Sequence, residues 1–273
     1  MSAISNFVTD AGFNVTVEDR VASSTSSKGN QIKWRRSDGI WAKADALGYE
    51  GLAEQTAGVL LASSNITDYV EYASCKIIED ETEYVGCVSA DFLAPDETLI
   101  TVARLFELDA LDYNADMSAM TATERLKYII TNLERITDIV GIGRWLGALL
   151  EFDAFILNED RHLHNIAVIK KHTGAFRLMP IFDNGAAFLS DTGRDYPMSI
   201  PIKVGIRKVK SKPIATGFSK QIDAVAEAVG LSLKFSVPPE TIRVASQAYA
   251  DEVIARVQHI IDYQAQRYPH LFS

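Results

Sequence analysis

Asp160, Asn165 and Asp183 are the side chains of this sequence whose types and spacing could do chemistry. They lie in one stretch, Asn158 to Gly185, reading NEDRHLHNIAVIKKHTGAFRLMPIFDNG. Transfer of the γ-phosphoryl group of ATP needs a carboxylate to accept a hydroxyl proton, an amide oxygen for one Mg²⁺, and a second carboxylate for metals bridging the phosphates. Asp160, Asn165 and Asp183 supply one group of each kind. Mg²⁺ prefers oxygen ligands and keeps several waters, so one Asp and one Asn at adjacent strand ends would suffice.

Spacing sharpens this reading. In protein kinases the catalytic Asp and the metal-binding Asn are likewise separated by four residues, and a metal-binding Asp follows one hairpin later with a Gly two residues on. Here Asp183-Asn184-Gly185 stands where kinases have Asp-Phe-Gly. An Asp-x4-Asn by itself arises by chance in ordinary hairpins with polar turns; the Asp-x-Gly at the far end makes the combination specific.

The elements around these residues must hold them. Ile166–Ile169 is an apolar run, His172–Gly174 a break, and Phe176, Leu178, Pro180 and Ile181 a second run, which reads as loop, strand, hairpin, strand and acidic stop. Upstream, 143–157 is apolar nearly all round and predicts a buried helix that delivers the chain into the Asp160 loop. Asp153 inside it is either an anchor for that loop or a partly exposed polar residue. Arg161 and His162 are placed to brace the loop; the His162-x-His164 pair lacks a third ligand at zinc spacing, and its Asp and Asn neighbours suit Mg²⁺ better.

From Val15 to about Leu93 the chain reads as β-rich with one helix. Strand character marks 15–17, 31–35, 40–44, 69–78 and 83–92, and a packed helix is predicted over 52–63. Lys43, in Ile40-Trp41-Ala42-Lys43-Ala44, resembles the strand lysine that pairs with ATP phosphates in kinases. Glu50 and Glu54 share a helix face and either could reach Lys43. Glu54, deeper in the helix, is the better partner; Glu50 also suits a first turn, where the helix dipole favours an acid. Between the first two strands, the small polar residues Ser26, Ser27, Lys28, Gly29 and Asn30 could bring backbone N–H groups to a phosphate, or could form a plain hairpin loop. No Walker A pattern is present.

With 273 residues the chain can build one large domain or two lobes, and 47% apolar residues exclude wholesale disorder. A net charge of −9 argues against a general nucleic-acid binder, so no direct DNA binding is expected. No apolar run reaches the roughly 18 residues of a membrane span, and no signal-peptide pattern opens the chain, so a cytoplasmic protein is expected, export without a signal peptide being compatible with this. Cys75 and Cys87 read as buried thiols. Beyond residue 96 helices are predicted over 99–108, over 122–140 with Thr121 or Thr123 as cap, over 218–229, and over 240–268 with Pro238-Pro239 as its start signal. The stretch 186–220 reads as irregular; its Lys203, Arg207, Lys208, Lys210 and Lys212 form either a solvated face or a seat for an acidic partner. The expected division is a β-rich N-lobe, 1–95, and a mainly helical C-lobe, 96–273.

Asn158-Glu-Asp-Arg-His-Leu-His-Asn165 with Ile181-Phe-Asp-Asn-Gly185 resembles the HipA-like serine/threonine kinases, and the Asp-Arg-His-x-x-Asn order is also that of phosphoinositide 3- and 4-kinases. Trp41-Ala-Lys-Ala-Asp45 and Gly48-Tyr-Glu-Gly-Leu-Ala-Glu54 resemble the small CtkA-like branch of that family. The resemblance spans about residues 20–235. It implies an α+β, two-lobed protein-kinase-like fold of the HipA and phosphoinositide-kinase type. It implies Asp160 as catalytic base, Asn165 and Asp183 as ligands of Mg²⁺ or Mn²⁺, Lys43 with Glu54 as the ATP-positioning pair, and 23–30 as the phosphate loop. The loop departs from the family in having only Gly29. Some family members phosphorylate a serine of this loop and so switch off; Ser23, Ser24, Ser26 and Ser27 are the candidates here. Larger members carry an N-terminal subdomain used with a DNA-binding antitoxin; this chain is expected to be too short for one, which argues against an operator-binding partnership, while an antitoxin or other regulatory partner stays open. The expected activity is ATP- and Mg²⁺-dependent phosphorylation of a protein serine or threonine. A small-molecule or lipid kinase of the same fold, or a nucleotide-binding pseudokinase with a regulatory role, are the alternatives.

Overall fold

The computed structural model describes Ile4, Val8 and residues 12–21 and 31–272. The proposed phosphate loop, with Ser23, Ser24, Ser26, Ser27, Lys28, Gly29 and Asn30, lies outside the described residues. Two compact units make up the chain. The first comprises Met1–Phe92, Phe182–Lys208 and Lys234–Ser273, the second Leu93–Ile181 and Val209–Leu233. The compact units are therefore not the continuous segments 1–95 and 96–273.

The first unit is built on a five-stranded sheet, with β1 (Phe13–Val15), β2 (Lys33–Arg35), β3 (Ile40–Ala44), β4 (Tyr72–Glu79) and β5 (Thr82–Ala90) in the order β1-β4-β5-β3-β2. Only the β1–β4 pairing is parallel. Alternation along the strands sends Phe13, Val15, Trp34, Ile40, Ala42, Ala44, Ile77 and Val88 into one core. Trp34, fully buried, keeps its indole N–H bonded to Glu79 at 2.8 Å. Helix α1 (Glu50–Ala62) is buried nearly all round. Glu50 fills the role of a first-turn acid, its carboxylate accepting the Leu47 and Gly48 N–H groups at 2.7 and 3.0 Å. Cys75 and Cys87 are buried free thiols on β4 and β5.

In the second unit β6 (Glu97–Thr101), β7 (Ala167–Lys171) and β8 (Phe176–Leu178) form an antiparallel sheet in that order. Helices α2 (Val102–Leu108), α3 (Tyr113–Met117), α4 (Ala122–Thr137), α5 (Ile142–Ile156) and α7 (Phe218–Ala228) complete it. Thr121 caps α4 through a capping box with Glu124. α4 ends at Thr137, short of the expected residue 140, because Asp138 turns left-handed at φ 55°.

Three sequence expectations need correction. Residues 99–101, predicted as the start of a helix, form the end of β6: their pairing with Ala167–Ile169 is a long-range contact that local periodicity does not contain. Thr101 then caps α2, accepting the Arg104 N–H at 3.2 Å. The irregular stretch 186–220 includes helix α6 (Ile202–Lys208). Pro238-Pro239 opens only a 3₁₀ turn, Pro239–Thr241, and the last long helix, α8, runs Asp251–Arg267. Among the described residues no helix is long and apolar enough to cross a membrane.

Candidate functional site

The first unit gathers Lys43, Glu54 and Asp183 around one ammonium. Lys43 Nζ lies 3.0 Å from Glu54 Oε1 and 3.0 Å from Asp183 Oδ1. β3 directs Lys43 away from the sheet core because its neighbours Ala42 and Ala44 occupy the opposite face. Glu54, just over one turn into α1, is almost wholly buried and its other oxygen accepts the Asn184 N–H at 2.8 Å. One carboxylate thus ties strand, helix and the Asp183 turn together. Glu50, the other candidate partner of Lys43, is committed to the helix start instead.

Burial alone would lower the Lys43 pKa; the Asp183 and Glu54 carboxylates outweigh it, and the amine is held protonated well above its ordinary range. Burial also raises the Glu54 pKa, opposed by Lys43 and reinforced by Asp183. With all three ionised, the cluster carries one cation against two anions.

Asp183 has a left-handed backbone, φ 61°, a conformation that Asp and Asn adopt more readily than most residues. After it, Gly185 is closely packed: an added Cβ would stand 3.3 Å from Glu50 Cβ, which would have to give by a few tenths of an ångström. Gly48 approaches the same segment so closely that a Cβ there would fall 2.0 Å from the Ser190 carbonyl oxygen. Tyr49 OH bonds the Phe188 carbonyl at 2.6 Å. These contacts fasten the turn after Asp183 to the start of α1.

Asp45 sits beside this cluster in the chain and was not singled out by the sequence. Its carboxylate accepts the Gly51 N–H at 2.7 Å and the Tyr249 hydroxyl at 2.8 Å. Burial pushes its pKa up to about 7, with the Gly51 N–H opposing and Glu50 adding to the rise. The folded state therefore favours the neutral acid, whereas the unfolded chain ionises near the ordinary 3.8. Stability linked to Asp45 is full below about pH 4 and is lost as pH climbs toward about 7. Melting temperatures of the native chain from pH 4 to 8 should fall more steeply than those of Asp45→Asn. Parallel curves would mean that Asp45 ionises normally in the fold.

In the second unit, α5 is buried on all but a few positions and ends at Leu157, left-handed at φ 61°. The loop that follows is held from below. Arg161 and Asp153 are both fully buried, with Nε 3.0 Å from Oδ2. Asn158 donates to Asp153 at 3.0 Å, and Arg161 Nη1 donates to the Asn165 carbonyl at 3.2 Å. Asp153 is thus the anchor of the loop. Asn165 donates its amide to the Asp160 carbonyl at 2.9 Å and to its carboxylate at 3.3 Å, so Asp160 and Asn165 come together.

Two further groups address Asp160. His162 Nε2 lies 3.6 Å and Lys212 Nζ 3.4 Å from its Oδ1. Burial lowers the His162 pKa against the pull of Asp160, leaving a neutral ring. Lys212 was visible in the sequence only as one member of a basic run. A turn positions it: Ser211, buried, donates to the Ala215 carbonyl at 2.9 Å, and Arg125 of α4 donates to the Ile214 carbonyl at 3.4 Å.

A five-stranded sheet with one packed helix, an Asp-x4-Asn loop and hairpin in the mainly helical unit, and an Asp-x-Gly directly after that hairpin in the chain define a kinase-like fold. The backbone agrees with the crystal structure of a Helicobacter pylori proinflammatory kinase, CtkA, at a TM-score of 0.61 over 92% of each chain, with 12% sequence identity. No family model and no curated protein matches the sequence. The likeness to that kinase is one of fold.

Proposed function

We propose that this chain is an ATP- and Mg²⁺-dependent kinase acting on a serine or threonine hydroxyl of a protein. The observation that carries the reading is Lys43, held at 3.0 Å by both Glu54 and Asp183 within a kinase-like fold. An ammonium fixed between a helix glutamate and the carboxylate of an Asp-x-Gly is oriented toward ATP phosphates. The two flanking carboxylates, one unit of charge in excess, favour a divalent cation beside them.

The donor types fit Mg²⁺: Asp183 offers a carboxylate, and Asn165, whose amide N–H₂ is engaged by Asp160, offers its carbonyl oxygen. When bound, the ion neutralises charge developing on the transferred phosphoryl group. Asp160 accepts the proton of the attacking hydroxyl as its oxygen bonds the γ-phosphorus and the bond to the ADP oxygen breaks. Asn165 holds the Asp160 carboxylate in orientation, and Lys212 Nζ stands 3.4 Å from its other oxygen.

Mass spectrometry of the purified chain after incubation with Mg²⁺-ATP, beside Asp160→Ala, tests the proposal. Phosphate on Ser23, Ser24, Ser26 or Ser27 of the native chain alone is the expected result. Label that passes to a lipid or metabolite and never to protein would replace it with a small-molecule kinase; ATP binding without any turnover would leave a pseudokinase.

A further inference from the structure

Lys33 lies directly opposite Lys43 in the β2–β3 pairing. The Ala44 N–H donates to the Ile32 carbonyl at 3.0 Å, which flanks the two lysines and makes them a narrow, non-hydrogen-bonded pair. Side chains so placed start about 4.5–5.5 Å apart at Cβ and share one face of the sheet. Their neighbours Trp34 and Ala42 are fully buried in the core on the other face. Both lysines therefore project from the face on which Lys43 meets Glu54 and Asp183.

This arrangement is costly for the protein alone. Like charges directly opposite each other destabilise a sheet, and a partly buried ammonium lacking a counter-ion adds to the cost. Glu54 and Asp183 take up Lys43, while among the described residues no side chain forms an ion pair or hydrogen bond with Lys33. Burial, and then Lys43, press the Lys33 pKa down; Asp183 and Glu54 offset this only in part. A Thr or Val at position 33 would suit the strand better. A lysine makes physical sense there if a polyanion completes the site.

We propose that Lys33 is a second phosphate-contacting cation, so that the phosphates of a nucleoside triphosphate are gripped from both β2 and β3. The inference rests on the kinase reading above and adds a residue to its nucleotide site. Lys43, shared with two carboxylates, has little charge left to neutralise a triphosphate; Lys33 supplies the remainder. The pairing also accounts for the lost stability as a trade for binding.

Calorimetric titration of the native chain, Lys33→Met and Lys33→Arg with Mg²⁺-ATP, ADP and adenosine tests this. Lys33→Met should bind Mg²⁺-ATP about tenfold more weakly, the size of one charge-assisted contact, with a smaller loss for ADP and none for adenosine. Lys33→Arg should retain most of the affinity. Without nucleotide, Lys33→Met should melt no lower than the native chain, because a like-charge pair is gone; a merely structural lysine would give the reverse. Native binding of ATP with unchanged binding by Lys33→Met overturns the role of Lys33 and leaves the kinase reading standing. No binding of any nucleotide by the native chain overturns both.

Discussion

Asp183→Asn is expected to slow phosphoryl transfer about a thousandfold or more while leaving the fold intact. The two halves of that expectation have separate causes. Asn keeps the shape of Asp and tolerates the left-handed φ of 61°, so the turn into Gly185 survives. Lys43 keeps Glu54 at 3.0 Å, and the repulsion between the Glu54 and Asp183 carboxylates is relieved, so stability should hold or rise slightly. The chemistry loses more, since an amide offers a divalent cation no net charge and the developing charge of the transferred phosphoryl group goes unneutralised. Single-turnover assays at saturating ATP, with a thermal melt as control, measure both. Turnover within tenfold of the native chain would remove Asp183 from the mechanism and with it the metal site proposed here.

The second large effect is on folding. Asp153→Ala should destabilise the protein by about 3–5 kcal/mol, because it leaves the Arg161 guanidinium charged, fully buried and without its counter-ion. Removing the carboxylate also strips the acceptor from the Asn158 side-chain N–H. Replacing both members, Asp153→Leu with Arg161→Met, should recover much of that loss, since two apolar groups of similar volume carry no desolvation cost. Urea denaturation of the three proteins decides it. A double variant as unstable as Asp153→Ala would mean that cavity and packing, rather than the stranded charge, set the cost.

These results bear on how much of the protein is written locally. Lys43, Glu54, Asp160, Asn165 and Asp183 were all legible as candidates, because the chemistry demands particular side chains at short spacings and those spacings survive in one dimension. The choice of Glu54 over Glu50 was also within reach: depth in the helix decides which acid is spared for Lys43 and which is consumed by the first-turn N–H groups. Buried helix α5 was readable from apolar residues on all faces, and strand β3 from its alternation.

The proposed role of Lys33 and the approach of Lys212 to Asp160 were not legible in the sequence. Lys33 gains meaning only from a strand register, and that register depends on hydrogen bonds to a segment ten residues away. Lys212 reaches Asp160 across 52 residues of chain, by way of a turn fixed through Arg125. The same cause misled the reading of residues 99–101, whose helical spacing yielded to pairing with β7.

By itself, then, the sequence determined which side chains are equipped for the chemistry proposed here, because that depends on residue type and short-range spacing. Tertiary structure decided which carboxylate holds Lys43, which buried pair anchors the Asp160 loop, and where two further lysines stand. Each of these is settled by burial and by contacts between distant segments, whose energies no local pattern encodes.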